Sequence, residues 1–238
     1  MEHFSPLSAN RVYIGLARVN ALAVLQGSKD IALGACTHVI LLAQTVDQGD
    51  TLFLTDVGFG GQGPARPIPL VDGPAVKGAA LPEMHRLVRM DHARSSLLPA
   101  PGEQPSGWAL QVNTKNDDNC WLTLYHFTLE EYFLDDLQAL SFSVDKSDQN
   151  TLSQFVILAG VQSASGTKGI ELDDNEDLVK ITLFGPHVRR KLGENIEVLR
   201  NLVTEQDRLL ALREVYGLDI EDSAAQYLKP GVALPAAV

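Results

Sequence analysis

Five short runs rich in β-branched and aromatic residues recur between Val12 and Phe127, at Val12 to Val19, Thr37 to Ala43, Leu52 to Val57, Trp108 to Val112 and Trp121 to Phe127. Turn-rich stretches such as D-Q-G-D at 47–50 and P-A-P-G at 99–102 separate them, and this spacing predicts an antiparallel sheet or barrel. The segment Leu81 to Arg89 alternates loosely, and Ala93 to Gly107 reads as an exposed proline-rich loop. Beyond Phe127 the pattern is less regular, although Val179 to Phe184 reads as one more strand. T-E-Q-D at 204–207 supplies an N-cap, Thr204, with an acid at the third helical position. Leu209, Leu212, Val215 and Tyr216 follow at helical spacing before a stopping Gly217, which predicts a C-terminal helix. The tail Pro230 to Val238 has no periodicity and is expected to fray.

A chain of 238 residues, 45% hydrophobic and 21% charged, can bury a sizeable core and belongs with ordinary globular proteins. Its net charge of −11 argues against a duplex nucleic-acid partner, because phosphate binding needs clustered Lys and Arg. The short run Arg189-Arg190-Lys191 reads instead as a solvated face near a helix end. The longest apolar runs, such as Val39 to Ala43, fall far short of the ~20 residues a membrane-spanning helix needs. No N-terminal stretch has the order of a signal peptide. Two cysteines, Cys36 and Cys120, then fit a reducing, cytoplasmic setting.

One constellation could carry chemistry. C-T-H at 36–38 lies on the strand before the D-Q-G-D turn, and the strand after it ends T-D-V-G-F-G-G at 55–61. A five-residue hairpin loop, Thr45 to Gly49, would set Gln44 against Asp50 and His38 against Asp56. Directly opposed residues have Cβ atoms ~5 Å apart, within reach of an imidazole–carboxylate hydrogen bond. A shorter loop sets Leu41 against Asp56 instead. Both readings of His38 stand at this point, a catalytic imidazole or a satisfied core residue. Asp56 is either a polar turn residue or an acid that orients a catalytic group. G-F-G-G lacks the spacing of a nucleotide loop, and fits a turn that lets another backbone or a ligand come close. His85 and His92 match no zinc spacing and read as surface residues, with no metal expected. Trp121, Tyr125 and Phe127 follow strand alternation and are expected to pack a sheet face. Cys120, beside N-D-D-N, reads as inert.

Several stretches together resemble the arylamine N-acetyltransferases, particularly their fungal branch. They are A-R-V-N at 17–20, T-H-V-I-L-L at 37–42, F-L-T-D-V-G-F-G at 53–60, R-P-I-P-L at 66–70, W-L-T-L-Y-H-F-T-L at 121–129 and K-I-T-L-F at 180–184. The resemblance implies an α+β, cysteine-protease-like acetyltransferase fold. Residues 1–130 would form the central antiparallel β-barrel and residues 131–238 a C-terminal α/β lid. It also implies a Cys-His-Asp triad in which His38 is the general base and Asp56 its orienting acid. An acetyl or other short acyl group would pass from acetyl-CoA or another acyl-CoA, through a thioester, to an arylamine or hydrazine.

The family's R-G-G-x-C, which bears the nucleophile on an N-terminal helical bundle, is not found in this sequence. The chain is therefore expected to be truncated at its N-terminus and inactive as it stands. Cys36 would share the strand face of His38, about 7 Å away by the strand rise, without occupying the family's cysteine position. D-K-S-D at 145–148 stands where fungal members have a Ser/Thr-rich stretch, and its two acids are a poor setting for coenzyme A phosphates. The alternative is a non-catalytic remnant that binds a small molecule or a partner. A barrel without its helical layer would expose apolar surface, so association with a partner or a second copy is expected.

Overall fold

The computed structural model describes residues 9–45, 51–96, 100–115, 117–146, 157–163 and 177–228. The D-Q-G-D turn, the second half of D-K-S-D and the C-terminal tail lie outside them. Eight antiparallel strands form one strongly curved sheet: β1 (Ala9–Asn20), β2 (Leu33–Thr45), β3 (Leu52–Thr55), β4 (Ile68–Pro69), β5 (Ala75–Lys77), β6 (Met84–Arg89), β7 (Trp108–Asn113) and β8 (Leu122–Phe127). Their order is β4-β3-β2-β1-β8-β7-β6-β5. The two ends approach each other just after β4, where Asp72 bridges Leu87 of β6. There the Gly73 amide donates to Leu87 O at 2.8 Å and the Arg89 amide to Asp72 Oδ1 at 2.9 Å. The sheet is thus an almost closed barrel.

Alternation decides what fills it. Ala17, Ile40, Leu42, Leu54, Leu87, Leu110, Tyr125 and Phe127 pack together, as the period-two pattern of half-buried strands requires, and Leu124 joins them at an irregularity where β8 carries one residue more than β7. The outer face of β8 is covered as well. His126 is buried there, its Nε2 paired with Met90 O at 3.0 Å, with Gly107 and the His92 ring against it.

Asn20, the last residue of A-R-V-N, is fully buried at the end of β1. Its Nδ2 donates to Asp30 O at 2.9 Å and Thr123 O at 3.0 Å, and its Oδ1 accepts from the Ala32 amide at 3.0 Å. One side chain thereby ties the loop after helix α1 (Ala21–Gln26) to β8, and it leaves none of its main polar groups orphaned.

A second antiparallel sheet contains β9 (Ile157–Ser163), β10 (Leu178–Phe184), β11 (His187–Leu192) and β12 (Asn195–Asn201), in the order β12-β11-β10-β9. Helix α2 (Leu134–Lys146) precedes it and helix α3 (Glu205–Tyr216) follows it. Val179, Ile181 and Leu183 of β10 pack with Leu209, Ala211 and Leu212 of α3 into a core of their own. The alternate residues Leu178, Lys180 and Thr182 face the barrel. The Leu178 amide donates to Ala79 O at 2.7 Å, joining the two sheets through backbone.

Arg189-Arg190-Lys191 sits in the middle of strand β11 rather than near a helix end. Charges alternate with the strand there: Arg190 faces Glu197 of β12 across the sheet and Lys191 reaches Glu83 at 3.3 Å. Among the described residues no helix is long and apolar enough to cross a membrane.

The expected C-terminal helix is present with the expected ends. Thr204 accepts from the Asp207 amide at 3.2 Å, and Asp207 accepts from the Thr204 amide at 2.8 Å, a reciprocal capping box. Gly217 closes the helix at φ 69°, where a residue with a Cβ is disfavoured. Thr204→Ala removes half of the capping box and is expected to lower stability by about 1 kcal/mol. Equilibrium urea unfolding measures it, and an unchanged midpoint would show that the cap contributes nothing.

Candidate active site

Strands β2 and β3 pair Leu41 with Thr55, Leu42 with Leu54 and Gln44 with Leu52. The connection is therefore longer than the five-residue loop expected, and His38 does not lie directly opposite Asp56. The two side chains nevertheless meet. The register differs from the expected one by two residues, which preserves faces, so both still point into the barrel. Asp56 stands one residue beyond β3 and reaches diagonally along that face. His38 Nε2 lies 2.7 Å from Asp56 Oδ2. The other carboxylate oxygen, Oδ1, accepts the Gly58 amide at 3.0 Å, a local turn that fixes the carboxylate where the strand ends.

The pair is set in aromatic surroundings. The His38 ring lies 5.1 Å from Phe59, edge to face, and 5.4 Å from Tyr125, while Phe59 and Tyr125 are themselves 5.1 Å apart. The Asp56 side chain is only 1% exposed and that of His38 is 14% exposed, so the imidazole keeps one edge open to solvent. With Nε2 engaged by Asp56, Nδ1 is the nitrogen available to a reacting group. Tyr125 is fully buried beside Asp56, and burial together with that carboxylate holds its phenol well above the usual range. Tyr125 therefore stays a neutral hydroxyl against the acid.

Cys36 takes the other face, contrary to expectation. Opposite Ala17 and Arg18, strand β2 carries one residue more than β1: Ala17 pairs with His38, but Arg18 pairs with Cys36, leaving Thr37 as a bulge. Cross-strand partners share a face, so Cys36 lies with Arg18 on the outside while His38 lies with Ala17 on the inside. Burial pushes the Cys36 thiol up, Arg18 opposes this and Glu130 adds to it. Cys120 is occupied elsewhere, its Sγ donating to Asp117 Oδ2 at 3.2 Å.

The glycine-rich turn after Asp56 serves close approach, as read, and the approaching element is strand β10. A Cβ on Gly61 would come within 2.7 Å of Thr182 Cγ2. Below the turn, Lys180 Nζ donates to Gly61 O at 3.1 Å, Gly63 O at 3.0 Å and Glu83 Oε1 at 2.7 Å. Burial alone would push Glu83 up, but Lys180, His85 and Lys191 together outweigh it and hold the carboxyl below its usual range.

His85, expected on the surface, is fully buried and donates from Nε2 to Gln62 O at 3.0 Å. Its Nδ1 has no hydrogen-bond partner among the described residues, so a second proton there would be buried unsatisfied. Burial accordingly lowers the imidazole to about 4, against the pull of Glu83.

None of Phe59, Glu83, Lys180 and Tyr125 stands out in the sequence as a site residue. Lys180 and Thr182 alternate with Val179, Ile181 and Leu183 and read as a solvent face; only the packing of one sheet on the other covers it. Among the described residues no group of three His, Cys, Asp or Glu could hold a metal ion. A cleft of about 820 Å³ near Met84, Trp121 and Glu194 shares none of the residues around His38.

A barrel whose inner face carries a histidine–carboxylate pair agrees with the comparison by sequence, in which the N-acetyltransferase family matches residues 17–225. The chain belongs to the arylamine N-acetyltransferase family. It is 28% identical over 177 residues to the N-malonyltransferase FDB2 of Fusarium pseudograminearum, covering 73% of this chain and 49% of that protein. The FDB2 of Gibberella moniliformis is 26% identical over 191 residues, covering 78% of this chain and 51% of that protein. The chain thus spans about half the length of the curated relatives it matches.

Solved structures share the fold. A variant of the Mycobacterium smegmatis arylamine N-acetyltransferase superposes with a TM-score of 0.65 at 24% identity, covering 94% of this chain and 67% of that one. The Mycobacterium marinum arylamine N-acetyltransferase in complex with CoA gives 0.61 at 22% identity, covering 88% and 63%.

Two predictions follow from this geometry. Asp56→Asn is expected to shift the His38 ring resonances in NMR with little loss of thermal stability; a large drop in Tm with the His38 signals unmoved would make the carboxylate purely structural. His85 binds its proton at a lower pH in the folded chain than the ~6.5 of the unfolded one. The unfolded state therefore holds more protons between pH 6.5 and about 4, and stability falls as pH drops through that window, by up to about 3 kcal/mol. His85→Gln, which keeps a donor for Gln62 O, should flatten the dependence in urea titrations run at pH 7 and pH 4.5.

Proposed function

We propose that this chain carries the general base and orienting acid of an acyl-CoA-dependent N-acyltransferase that acts on arylamines or hydrazines. The observation that carries the reading is the 2.7 Å contact of His38 Nε2 with Asp56 Oδ2 on the inner face of the barrel, in a chain of this family. Asp56 accepts from Nε2–H and so leaves Nδ1 as the basic nitrogen facing a reacting group, the tautomer that proton abstraction requires.

In this reading His38 Nδ1 takes the proton of a thiol whose ordinary pKa is about 8.5, and the imidazolium stabilises the thiolate. The thiolate attacks the acyl carbonyl of the acyl-CoA. Coenzyme A leaves with the proton returned from His38, and an acyl-thioester remains. The amine then attacks that thioester, His38 accepts the amine proton, and the thiolate is released as the amide forms. The acyl group is short; acetyl follows from the family, and malonyl is supported by the names of the two fungal relatives.

The thiol is the component that neither cysteine of this sequence brings to His38. Cys36 is on the opposite face of β2 and Cys120 is bonded to Asp117. The nucleophile in this reading comes from a segment outside these 238 residues that bears R-G-G-x-C. A second reading, a module that binds a partner or small molecule without chemistry, is favoured by the fully exposed Val57 next to Asp56 and by Val39 and Leu41, exposed on the outer face of β2.

Mass spectrometry after incubation with acetyl-CoA or malonyl-CoA separates these readings. Purified 1–238 is expected to form no acyl-thioester. The same chain fused to a family segment bearing R-G-G-x-C is expected to form one, and His38→Ala should abolish it, since general-base help is worth roughly 10²–10⁴-fold. A thioester on 1–238 that disappears with Cys36→Ala would overturn the assignment of the nucleophile. A fusion that folds yet never acylates would favour the binding module.

A further inference from the structure

The turn from Asp56 to Gly63 has glycine at 58, 60, 61 and 63, and its Phe59 packs on the barrel core. What fixes it is a set of bonds to its carbonyls. Gly61 O and Gly63 O are bound by Lys180 at 3.1 and 3.0 Å, and the carbonyl between them, Gln62 O, is bound by His85 at 3.0 Å. The Gln62 side chain donates to Val24 O at 3.1 Å, and the Gly63 amide closes back onto Gly60 O at 3.0 Å. Three successive carbonyls are therefore tied down from below, two of them by a residue of the other sheet.

An ammonium has three N–H donors. Lys180 uses one on each of Gly61 O, Gly63 O and Glu83 Oε1, and its side chain is 4% exposed. Glu83 is equally buried and has its own partners in the Ala79 amide at 3.2 Å and Lys191 at 3.3 Å. Such a pair is a costly way to gain stability, because the desolvation of two ions offsets most of their attraction and an apolar pair of similar volume is often as stable. The arrangement makes sense as a device for direction: a buried cation with three fixed acceptors permits one geometry of the turn. That turn carries Phe59, which packs on the His38 ring, and begins at Asp56, which bonds it.

We propose that Lys180 is a positioning residue for the His38–Asp56 pair, acting from the second sheet through the carbonyls of Gly61 and Gly63, with Glu83 as its buried counter-charge. Its role is to hold the turn so that Phe59 and Asp56 fix the orientation of the imidazole. The inference rests on reading His38 and Asp56 as the acyl-transfer pair. Its readout is the state of the His38 ring, so it can fail while that reading stands, and the acyl-transfer reading can fail while this one stands.

The test uses the full chain and two variants, Lys180→Met and the charge-balanced Lys180→Met with Glu83→Gln. Folding is followed by circular dichroism and Tm, and the His38 ring by its imidazole C–H resonances across a pH titration. The single variant takes from a buried carboxylate the nearer of its two ammonium partners and is expected to lose stability. The double variant is expected to keep the fold while its His38 resonances and titration midpoint move away from wild type towards those of Asp56→Asn. A folded double variant whose His38 signals and titration superimpose on wild type overturns the proposal. So does a double variant that cannot fold, since Lys180 would then be a core structural residue.

Discussion

In a β-strand the side of the sheet on which a residue stands is a matter of parity, and in this barrel parity decides which polar groups can meet. His38 and Asp56 share the inner face because the β2–β3 register, although different from the simplest hairpin, differs by two. Cys36 and His38, two residues apart in sequence, are separated by the bulge at Thr37, which turns an even spacing into opposite faces. One hydrogen-bond ladder thus brings together two residues far apart in the chain and parts two that are near.

Alternating patterns made much of the barrel legible. The β-rich runs fall in β1, β2, β3, β7 and β8, the Thr204 cap and Gly217 stop bound helix α3, and Val179 to Phe184 lies within β10. The resemblance in T-H-V-I-L-L and T-D-V-G-F-G pointed to His38 and Asp56, whose side chains do meet. What the pattern could not convey was coverage. Lys180 and His85 have the chemistry of surface residues and occupy buried sites, because the second sheet and the glycine-rich turn close over them. The partners of Lys180 lie about a hundred residues away and that of His85 lies 23 away, so no local window contains both partners. The Arg189-Arg190-Lys191 run misled for the same reason: its charges are answered from β12 and from Glu83, so a strand could carry them.

The two sheets bear on the site in different ways. The barrel carries the His38–Asp56 pair and the second sheet supplies constraint, through the Leu178–Ala79 backbone bond, the Lys180 clamp and the contact of Thr182 with the space a Cβ on Gly61 would need. The glycines after Asp56 are accounted for by this contact and by the turn itself. They are where one layer of protein comes close enough to another for its side chains to grip bare backbone.

His38 is flanked by Phe59 and Tyr125, and Tyr125 continues into the barrel core through Phe127, 6.2 Å away. The imidazole is in this sense the outermost member of an aromatic stack that runs into the barrel. Rotating it by a fraction of a radian requires its neighbours to move, and one of them, Tyr125, is fully enclosed. Drift in the interior of such a protein is accordingly filtered by two separate demands. A replacement at Phe127 that fills the same volume satisfies the fold, but it passes the second only if the ring two places outward still points where it did.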